Sequence, residues 1–286
     1  MTIIQQALRR ARQALGAGGI DNPGLESELL MRHTLHVSRV QLYLELEREL
    51  DSEQHDKFWY LVNRRASNEP AAYITGHREF YGLDFYVDPD VLIPRPETEL
   101  LVEKTIELFQ KQYLSTIAEV GTGSGAIAIS LALSLPQARI YATDLSPAAL
   151  KVTRFNCQKH GVAERIQFFK GNLLEPLPGP VDLIVANLPY VRESELANST
   201  ALCFEPVLAL NGGRDGLDTI RQLCHQVNEK LNPGGYLLLE IGQGQGPAVT
   251  GYLRSLFPEA AIELIPDFAG IDRVVCLRLS QDSTKT

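Results

Sequence analysis

The sequence predicts an α/β protein in which a small helical region precedes a domain of alternating strands and helices. From Thr116 onward, short apolar runs alternate with stretches at helical spacing, whereas residues 1–75 show helical spacing alone. Short apolar strands separated by amphipathic helices are typical of a mostly parallel sheet that is covered on both faces. Three prolines, Pro89, Pro94 and Pro96, punctuate the boundary between the two patterns.

The composition is that of a globular protein with one large or two modest domains. The chain has 286 residues, of which 44% are hydrophobic and 22% are charged, an ordinary balance for a protein with a buried core. Its 35 acidic and 27 basic residues give a net charge of −8. Because neutralisation of phosphates by Lys and Arg drives nucleic-acid binding, we expect no nucleic-acid partner.

The sequence also indicates a compartment. It has no apolar run of 18 residues, and its N-terminus shows helical spacing without the apolar core of a signal peptide. Its four cysteines lack the spacing of metal ligands, so we expect buried or half-buried thiols in a reducing compartment and no metal site. We therefore expect a cytoplasmic protein without a membrane partner. We also expect a monomer, although no feature of the sequence indicates the oligomeric state.

The first 75 residues are predicted to form four helices. Ile4, Leu8, Ala11 and Leu15 recur at helical spacing, and the glycines of 16–19 end this first helix. The next three helices are predicted behind the turn or cap residues Asp21-Asn22-Pro23, Ser38, and Asp51 or Ser52. Nothing in this region indicates chemistry of its own.

A β-hairpin is predicted to link the two regions. Arg78–Val87 has β-rich runs on either side of Gly82, which is typical of two strands joined by a tight turn. Pro96 then suits the first residue of a helix. The predicted boundaries are 1–75 for the helical domain, 76–92 for the hairpin linker, 93–280 for the second domain and 281–286 for a disordered tail.

Five strands and three helices are predicted within the second domain. The strands are Ile117–Val120, Arg139–Thr143, Ile166–Phe169, Leu183–Ala186 and Tyr236–Ile241. The helices are Ala126–Leu135, Pro147–His160 and Leu217–Leu231. This order is Rossmann-like, and such sheets bind ligands at the carboxyl ends of their strands.

Two motifs at these strand ends indicate a nucleoside-containing cofactor. The glycine-rich turn Gly121-Thr122-Gly123-Ser124-Gly125 follows the first strand, where glycines let the backbone approach a ligand closely. Asp144 ends the next strand, and its carboxylate can accept hydrogen bonds from both hydroxyls of a ribose. The structural alternatives are a plain strand-to-helix turn and a helix N-cap before Pro147. NAD and S-adenosylmethionine would both satisfy these motifs.

The third motif, Asn187-Leu188-Pro189-Tyr190, distinguishes between the two cofactors. It resembles the Asn-Pro-Pro-Tyr signature of methyltransferases that act on planar amide or amino nitrogens, which are poor nucleophiles because their lone pair is delocalised. An Asn oxygen and a backbone carbonyl can each accept one N–H of such a nitrogen, and the Tyr190 ring can stack on the planar group. A plain Asn-x-Pro turn is the structural alternative. A sulfonium leaves without an acid, so this chemistry needs no metal.

Leu188 departs from the signature, which has proline at this position. The group that matters is a backbone carbonyl, so a leucine can still present it, and Pro189 still favours an extended conformation at Leu188. The change removes the fixed φ of a proline. We therefore expect retained function in a slightly softer site.

With these motifs, the chain resembles the release-factor glutamine methyltransferases, the PrmC/HemK family, from about Glu69 to Arg273. The most distinctive matching segment is Val91–Glu99 (VLIPRPETE). The other matching segments are Glu69–Gly76, Glu79–Leu83, Glu205-Pro206, Gly212–Leu217, Glu240–Gly242 and Asp272-Arg273. Adenine methyltransferases share the Asn-x-Pro-Tyr motif but lack the Pro-Arg-Pro-Glu-Thr-Glu segment.

The resemblance implies a class I S-adenosylmethionine-dependent methyltransferase domain, a helical domain that docks the substrate and a connecting hairpin. It also implies methylation of the glutamine side-chain amide in the Gly-Gly-Gln loop of class I peptide chain release factors. The implied cofactor residues are Gly121, Thr122, Gly123, Ser124 and Gly125 for the methionine part, Asp144 for the ribose, Asn172 and Leu173 beside the adenine, and Asn187. The implied catalytic residues, which hold the glutamine, are Asn187, Leu188, Pro189 and Tyr190. Asn172 and Glu119 each replace the more usual Asp.

Other functions fit less of the sequence. A DNA or RNA adenine-N6 methyltransferase would share the geometry at the amino nitrogen, but the acidic charge and the lack of a long target-recognition region disfavour it. A nicotinamide-dependent dehydrogenase would leave Asn187–Tyr190 unexplained. A nucleotide-binding module without catalysis would require that Leu188 deforms the site.

Overall fold

The computed structural model describes residues 2–198 and 202–281. Except for Gln281, the predicted disordered tail lies outside the described residues. The described chain divides into two units, 2–77 with 202–204 and 78–198 with 205–281. Each unit has a hydrophobic core of its own.

The first unit is helical. Its helices are α1 (Ile4–Ala17), α2 (Pro23–Leu35), α3 (Arg39–Leu44), α4 (Ser52–Ala66) and α5 (Ala71–Thr75). Two short strands, β1 (Thr2–Ile3) and β2 (Glu49–Leu50), pair antiparallel. The first four helices were predicted, whereas α5 is a single short turn that has no periodicity to reveal it.

The helix starts are the ones that the sequence signals indicate. Ser38 and Asp51 each accept a hydrogen bond from the backbone N–H three residues on, and a Gln side chain completes a capping box in both cases. Helix α3 buries only Leu42, whereas its other apolar residues, including Val40 and Leu44, are exposed. The cap, rather than an apolar face, therefore accounts for this helix.

The predicted hairpin is formed by β3 (His77–Phe80) and β4 (Leu83–Tyr86). Its two-residue turn consists of Tyr81 and Gly82, with φ of 52° and 72°. Positive φ at both central residues is the geometry of a type I′ turn, whose twist matches that of paired strands.

The second unit is built on a seven-stranded sheet. Its strands are β5 (Thr116–Val120), β6 (Arg139–Asp144), β7 (Ile166–Lys170), β8 (Val181–Ala186), β9 (Leu231–Glu240), β10 (Ala261–Pro266) and β11 (Asp272–Arg278). They lie in the order β10-β11-β9-β8-β5-β6-β7. Strands β5 to β9 pair in parallel and include the five predicted strands. The predicted α/β class is confirmed.

Helices cover both faces of this sheet. They are α6 (Glu99–Lys111), α7 (Ala126–Ser134), α8 (Pro147–Lys159), α9 (Glu193–Asn198), α10 (Val207–Leu210), α11 (Asp218–Lys230) and α12 (Gly246–Leu256). Alternate strand residues point to opposite faces, so Ile117 belongs to one hydrophobic cluster and Ala118 to the other. Pro96 opens a 3-10 turn that runs into α6, consistent with its predicted position at a helix start.

The antiparallel edge of the sheet was not predicted. Strand β10 pairs antiparallel with β11, and β11 pairs antiparallel with β9. Strand β10 is mostly half-buried or exposed, because an edge strand does not need a continuous apolar run. Strand β9 also begins at Leu231, five residues before the predicted start, since Pro233-Gly234-Gly235 reads as a turn but lies within the strand.

One expectation about the cysteines is wrong. Cys157 and Cys224 are buried and Cys276 is half-buried, as expected, but Cys203 is exposed. Cys203 lies in a turn rather than in a strand or helix, and turns run over the surface. In the described ranges, no helix is long and apolar enough to cross a membrane.

The register aligns the carboxyl ends of three central strands. Val120 of β5 pairs with Thr143 of β6 and with Ala186 of β8. The next residues along the three strands are the glycine turn, Asp144 and Asn187. The fold thus brings the three predicted motifs to one edge of the sheet.

Candidate active site

A cavity of about 700 Å³ lies at this edge, within the second unit. Its volume is in the range of pockets that hold small-molecule cofactors. The predicted site residues that line it are Gly121, Thr122, Gly123, Ser124, Asp144, Asn172, Leu173, Asn187, Leu188 and Pro189. Gly125 and Tyr190 are not among the residues that line it. Three motifs that are far apart in the sequence therefore share one cavity.

The glycine turn is held by the backbone of β6. The N–H groups of Gly121 and Thr122 both donate to the Thr143 carbonyl, at 2.9 and 3.0 Å. Gly125 has a φ of 83°, and a Cβ there would lie 2.7 Å from Cγ2 of Thr153 on α8. Only glycine fits at this position, because a side chain would be strained and would also clash.

Glu119, the second-last residue of β5, presents a buried carboxyl group to the cavity. Its Oε2 accepts hydrogen bonds from the Thr122 hydroxyl at 2.5 Å and from the Ala128 N–H at 3.2 Å. Burial raises the pKa of Glu119 to about 8, and the nearby charge of Asp144 acts in the same direction. A cation next to Glu119 would stabilise its ionised form.

Asp144 is already engaged by the backbone on both of its oxygens. Oδ2 accepts from the Gly123 N–H at 2.9 Å, and Oδ1 accepts from the Ser146 N–H at 2.8 Å. Burial raises the pKa of this carboxyl group. The cap of α8 is Ser146, whose hydroxyl accepts from the Ala149 N–H, so the alternative role of Asp144 as the N-cap is wrong. Each carboxylate oxygen has a second lone pair for a ligand.

Asn172 and Leu173 follow β7 and line the same cavity. The Asn172 Nδ2 donates to Glu175 Oε1 at 3.0 Å, so its amide oxygen is the atom left for a ligand. Leu173 has a φ of 53°, which is unusual for a residue other than glycine or asparagine. Such backbone strain is concentrated at functional sites.

The Asn187-Leu188 segment provides two hydrogen-bond acceptors. The Asn187 Nδ2 donates to the Thr98 hydroxyl oxygen at 3.0 Å. Within 2–198 and 202–281, no hydrogen bond uses Asn187 Oδ1 or the Leu188 carbonyl. The Leu188 side chain is buried against the glycine turn, since a Cβ on Gly121 would lie 3.5 Å from its Cδ2. Both oxygens can therefore accept from a ligand.

Tyr190 is fixed from the opposite side. Its hydroxyl donates to Glu240 Oε1 at 3.3 Å. Burial raises the pKa of Tyr190, and the adjacent Glu240 charge raises it further. Burial also raises the pKa of Glu240, to about 7. The tyrosine therefore stays neutral at physiological pH.

A glycine-rich loop for which no role was predicted holds the backbone of Tyr190. Gly216 has a φ of 80°, and a Cβ there would lie 2.4 Å from the Tyr190 carbonyl oxygen. The Gln245 Nε2 donates to the same oxygen at 3.0 Å. The only sequence signal for this loop is the family resemblance of Gly212–Leu217.

The Pro-Arg-Pro segment contributes Arg95 and Thr98 to the cavity wall. Arg95 Nη2 forms an ion pair with Glu205 Oε1 at 2.5 Å, and the Ile93 N–H donates to the other oxygen of Glu205 at 3.3 Å. These contacts tie the segment to the start of the loop that carries α10. In the part of the chain that the structure describes, no cluster of His, Cys, Asp and Glu is arranged to hold a metal ion.

Two family models match the chain. The model of the PrmC N-terminal domain matches residues 6–76, and that of the methyltransferase small domain matches residues 96–204. A methyltransferase from Pyrococcus furiosus has a similar structure, with a TM-score of 0.52 and 17% identity over 76% of this chain and 98% of that one. This likeness concerns the fold alone.

Curated relatives match the chain over nearly its full length. The release factor glutamine methyltransferase of Moorella thermoacetica is 46% identical over 272 residues, which are 94% of this chain and 96% of that protein. That of Koribacter versatilis is 40% identical over 276 residues, 95% of this chain and 97% of that protein. The chain belongs to the release factor glutamine methyltransferase family.

Proposed function

We propose that this chain transfers a methyl group from S-adenosylmethionine to the side-chain amide nitrogen of the glutamine in the Gly-Gly-Gln loop of class I peptide chain release factors. The names of its relatives support this substrate. The observation that carries the proposal is the pair of unused acceptors, Asn187 Oδ1 and the Leu188 carbonyl, in a cavity that also contains a glycine turn and Asp144.

The cavity fits S-adenosylmethionine. Glu119 and Asp144 place two carboxyl groups where a cationic nucleoside would lie, and because burial raises the pKa of both, a bound cation would stabilise their charged forms. Gly121–Gly125 would hold the methionine part, Asp144 the ribose, and Asn172 with Leu173 the adenine. When bound, this cofactor supplies a methyl group on a positively charged sulfur that leaves as a neutral thioether.

Asn187 and Leu188 would orient the glutamine amide. A primary amide nitrogen has two N–H donors, and the two acceptors match them in number. Holding both N–H groups fixes the nitrogen with its weakly basic lone pair toward the methyl group, so that correct orientation replaces the missing nucleophilicity. Tyr190, which is neutral and anchored by Glu240, would bound the planar group on one side.

The substrate is a protein in this proposal, and the helical domain would dock it. All the described residues that line the cavity belong to the second unit, so we assign the helical domain a role outside the chemistry. We propose that the chain acts as a monomer.

Mass spectrometry tests the proposed substrate. The enzyme would be incubated with S-adenosylmethionine and either a class I release factor or duplex DNA. We expect one added methyl group on the loop glutamine, and none on a release factor in which that glutamine is replaced by alanine. Methylation of DNA alone would refute the proposal in favour of an adenine methyltransferase.

Asn187→Ala tests the division of labour within the site. We expect turnover to fall by at least roughly 100-fold, because the amide would lose one of its two orienting acceptors, while cofactor affinity measured by calorimetry stays within about threefold. Asn228→Ala, at an exposed position of α11, is the matched control. A large loss of cofactor affinity in Asn187→Ala alone would contradict the assignment.

A further inference from the structure

We infer that Thr98 and Glu240 are positioning residues that determine which way the Asn187 side-chain amide faces. The inference rests on the proposed function, because it concerns the acceptor that would hold the glutamine amide. Neither residue needs to touch the substrate in this role.

The orientation of the Asn187 amide is a two-way choice. Rotation by half a turn about its last torsion exchanges the oxygen and the NH₂ group at almost unchanged shape. With Oδ1 toward the substrate, Asn187 accepts from an N–H of the glutamine amide. With NH₂ toward the substrate, donors face donors and the nitrogen is not held. Some neighbour must therefore select the productive orientation.

Thr98 is that neighbour, because its hydroxyl oxygen lies 3.0 Å from the Asn187 Nδ2. A threonine hydroxyl has one proton to donate and two lone pairs that accept. If its proton is directed elsewhere, the oxygen can only accept, and it then pairs with the NH₂ group of Asn187. This arrangement leaves Oδ1 for the substrate.

Glu240 supplies the acceptor that attracts the Thr98 proton. The Thr98 hydroxyl lies near enough to lower the pKa of the Glu240 carboxyl group. Oε2 of Glu240 is buried and has no hydrogen-bond partner in the described residues, so it has room for a donor. Oε1 already accepts from the Tyr190 hydroxyl at 3.3 Å. One carboxylate thus connects Asn187, through Thr98, with Tyr190, whose hydroxyl donates to it directly.

The burial of Glu240 argues for a role other than stability. Glu240 is only 1% exposed. A buried carboxylate with an unpaired oxygen destabilises a fold relative to an apolar side chain of similar size. Arg273 faces this carboxylate and favours its charge, but its own ion pair is with Asp267. The hydroxyl groups of Thr98 and Tyr190 therefore explain why a carboxylate occupies this buried position.

The first experiment compares two substitutions at Thr98. Thr98→Val keeps the shape and removes the hydroxyl, whereas Thr98→Ser keeps the hydroxyl. We expect Thr98→Val to lower kcat for release-factor methylation by roughly 10- to 100-fold, with KM for S-adenosylmethionine within about threefold, and Thr98→Ser to recover most of the loss. Thr105→Val is the control, because the Thr105 hydroxyl, on the helix that follows Thr98, bonds only to the Leu101 carbonyl within the described residues.

The second experiment uses Glu240→Gln and a pH profile. Thr98, Tyr190, Glu97 and Arg273 face the carboxyl group, and burial raises its pKa to about 7. Below that pH, the protonated group can donate to Thr98, whose own proton then turns toward Asn187. We expect wild-type kcat at saturating cofactor to fall from about pH 8 to about pH 6. Glu240→Gln, which cannot ionise, should have a low kcat without this acid limb.

The outcomes separate this inference from the proposed function. Absence of release-factor methylation by the wild-type enzyme would overturn both. If the wild type is active, three results would overturn the inference alone. These are a Thr98→Val variant as active as the wild type, a Thr98→Ser variant as impaired as Thr98→Val, and an acid limb that is unchanged in Glu240→Gln. Thermal melting and cofactor calorimetry identify a variant that is inactive because it is unfolded, and the other variant then decides.

Discussion

The Leu188 side chain is buried beside the glycine turn, and the group that Leu188 offers to the site is its backbone carbonyl. A residue type that departs from the Asn-Pro-Pro-Tyr signature is therefore compatible with the proposed chemistry. The branched side chain packs near Gly121, with its Cδ2 3.5 Å from where a Cβ on that glycine would lie, whereas a proline has no δ-methyl group. Relative to proline, leucine makes the backbone at position 188 less rigid but adds packing against the glycine turn, and these two effects on the order of the site oppose each other.

The effect of Leu188→Pro should be small for this reason. Within the described residues, the Leu188 N–H donates no hydrogen bond, so proline would remove none. We expect kcat/KM for release-factor methylation to stay within roughly tenfold of the wild-type value, about 1.4 kcal/mol. Steady-state kinetics with a full-length release factor measures this, and a much larger gain would mean that the native site is impaired.

Glu119 should couple cofactor binding to a proton. Burial raises its pKa to about 8 without a cation, so it is mostly protonated at neutral pH, and a cationic cofactor would lower that pKa. Binding should therefore release a proton, and affinity should rise by roughly tenfold from about pH 6.5 to about pH 8.

Calorimetry in buffers of different ionisation enthalpy detects that proton. Glu119→Gln should bind more weakly at about pH 8 and should abolish most of the proton release. If the wild type released no proton near neutral pH, the cofactor's charge would have to lie away from this carboxyl group.

Among the elements, the loop between α10 and α11 has a clear structural purpose. Gly216 approaches the Tyr190 carbonyl so closely that a Cβ would lie 2.4 Å from its oxygen, and Gln245 at the start of α12 donates to the same oxygen. The loop therefore fixes the backbone conformation of the Asn187–Tyr190 segment through the Tyr190 carbonyl. A side chain at Gly216 would displace the acceptor segment itself.

Gly216→Ala and Gly244→Ala separate this close approach from backbone strain. Both glycines have similar φ values, 80° and 82°, but a Cβ on Gly244 meets nothing within 4 Å. Both variants should lose about 1–2 kcal/mol of unfolding free energy from the left-handed conformation, and Gly216→Ala more because of the clash. Only Gly216→Ala should also lose turnover, by roughly tenfold or more.

Denaturant unfolding and steady-state kinetics on the two variants provide the comparison. Cofactor affinity should be similar in both, since neither glycine lines the cavity. Equal turnover in the two variants would show that the loop does not position Tyr190.

At the scale of the whole molecule, the charge favours a protein substrate over a nucleic acid. The chain carries a net charge of −8. A protein that binds DNA neutralises phosphates with Lys and Arg, and one that contacts six to ten phosphates loses affinity by roughly 10³- to 10⁵-fold between about 50 and 200 mM salt. We expect excess duplex DNA not to compete with a release factor for methylation. Inhibition by DNA that disappears with added salt would reveal a local basic surface and contradict this expectation.

Much of this molecule can be read from local sequence features. Apolar runs predict β5 to β9, the capping signals of Ser38 and Asp51 start α3 and α4, and the glycine turn after β5 requires positive φ. These features depend on neighbours along the chain, so a single sequence is enough to predict them. Strands β10 and β11 were not predicted, because their place in the sheet comes from antiparallel pairing, of β10 with β11 and of β11 with β9, which a local pattern does not show.

The orientation of the candidate site depends on contacts between distant segments. Thr98 and Asn187 are 89 residues apart, and Tyr190 and Glu240 are 50 apart, yet each pair forms a hydrogen bond. Motifs in the sequence identify the residues that would hold a cofactor and a glutamine. Packing of the sheet and its loops then places a carboxylate behind them, because burial and hydrogen-bond direction arise only when the strand ends meet.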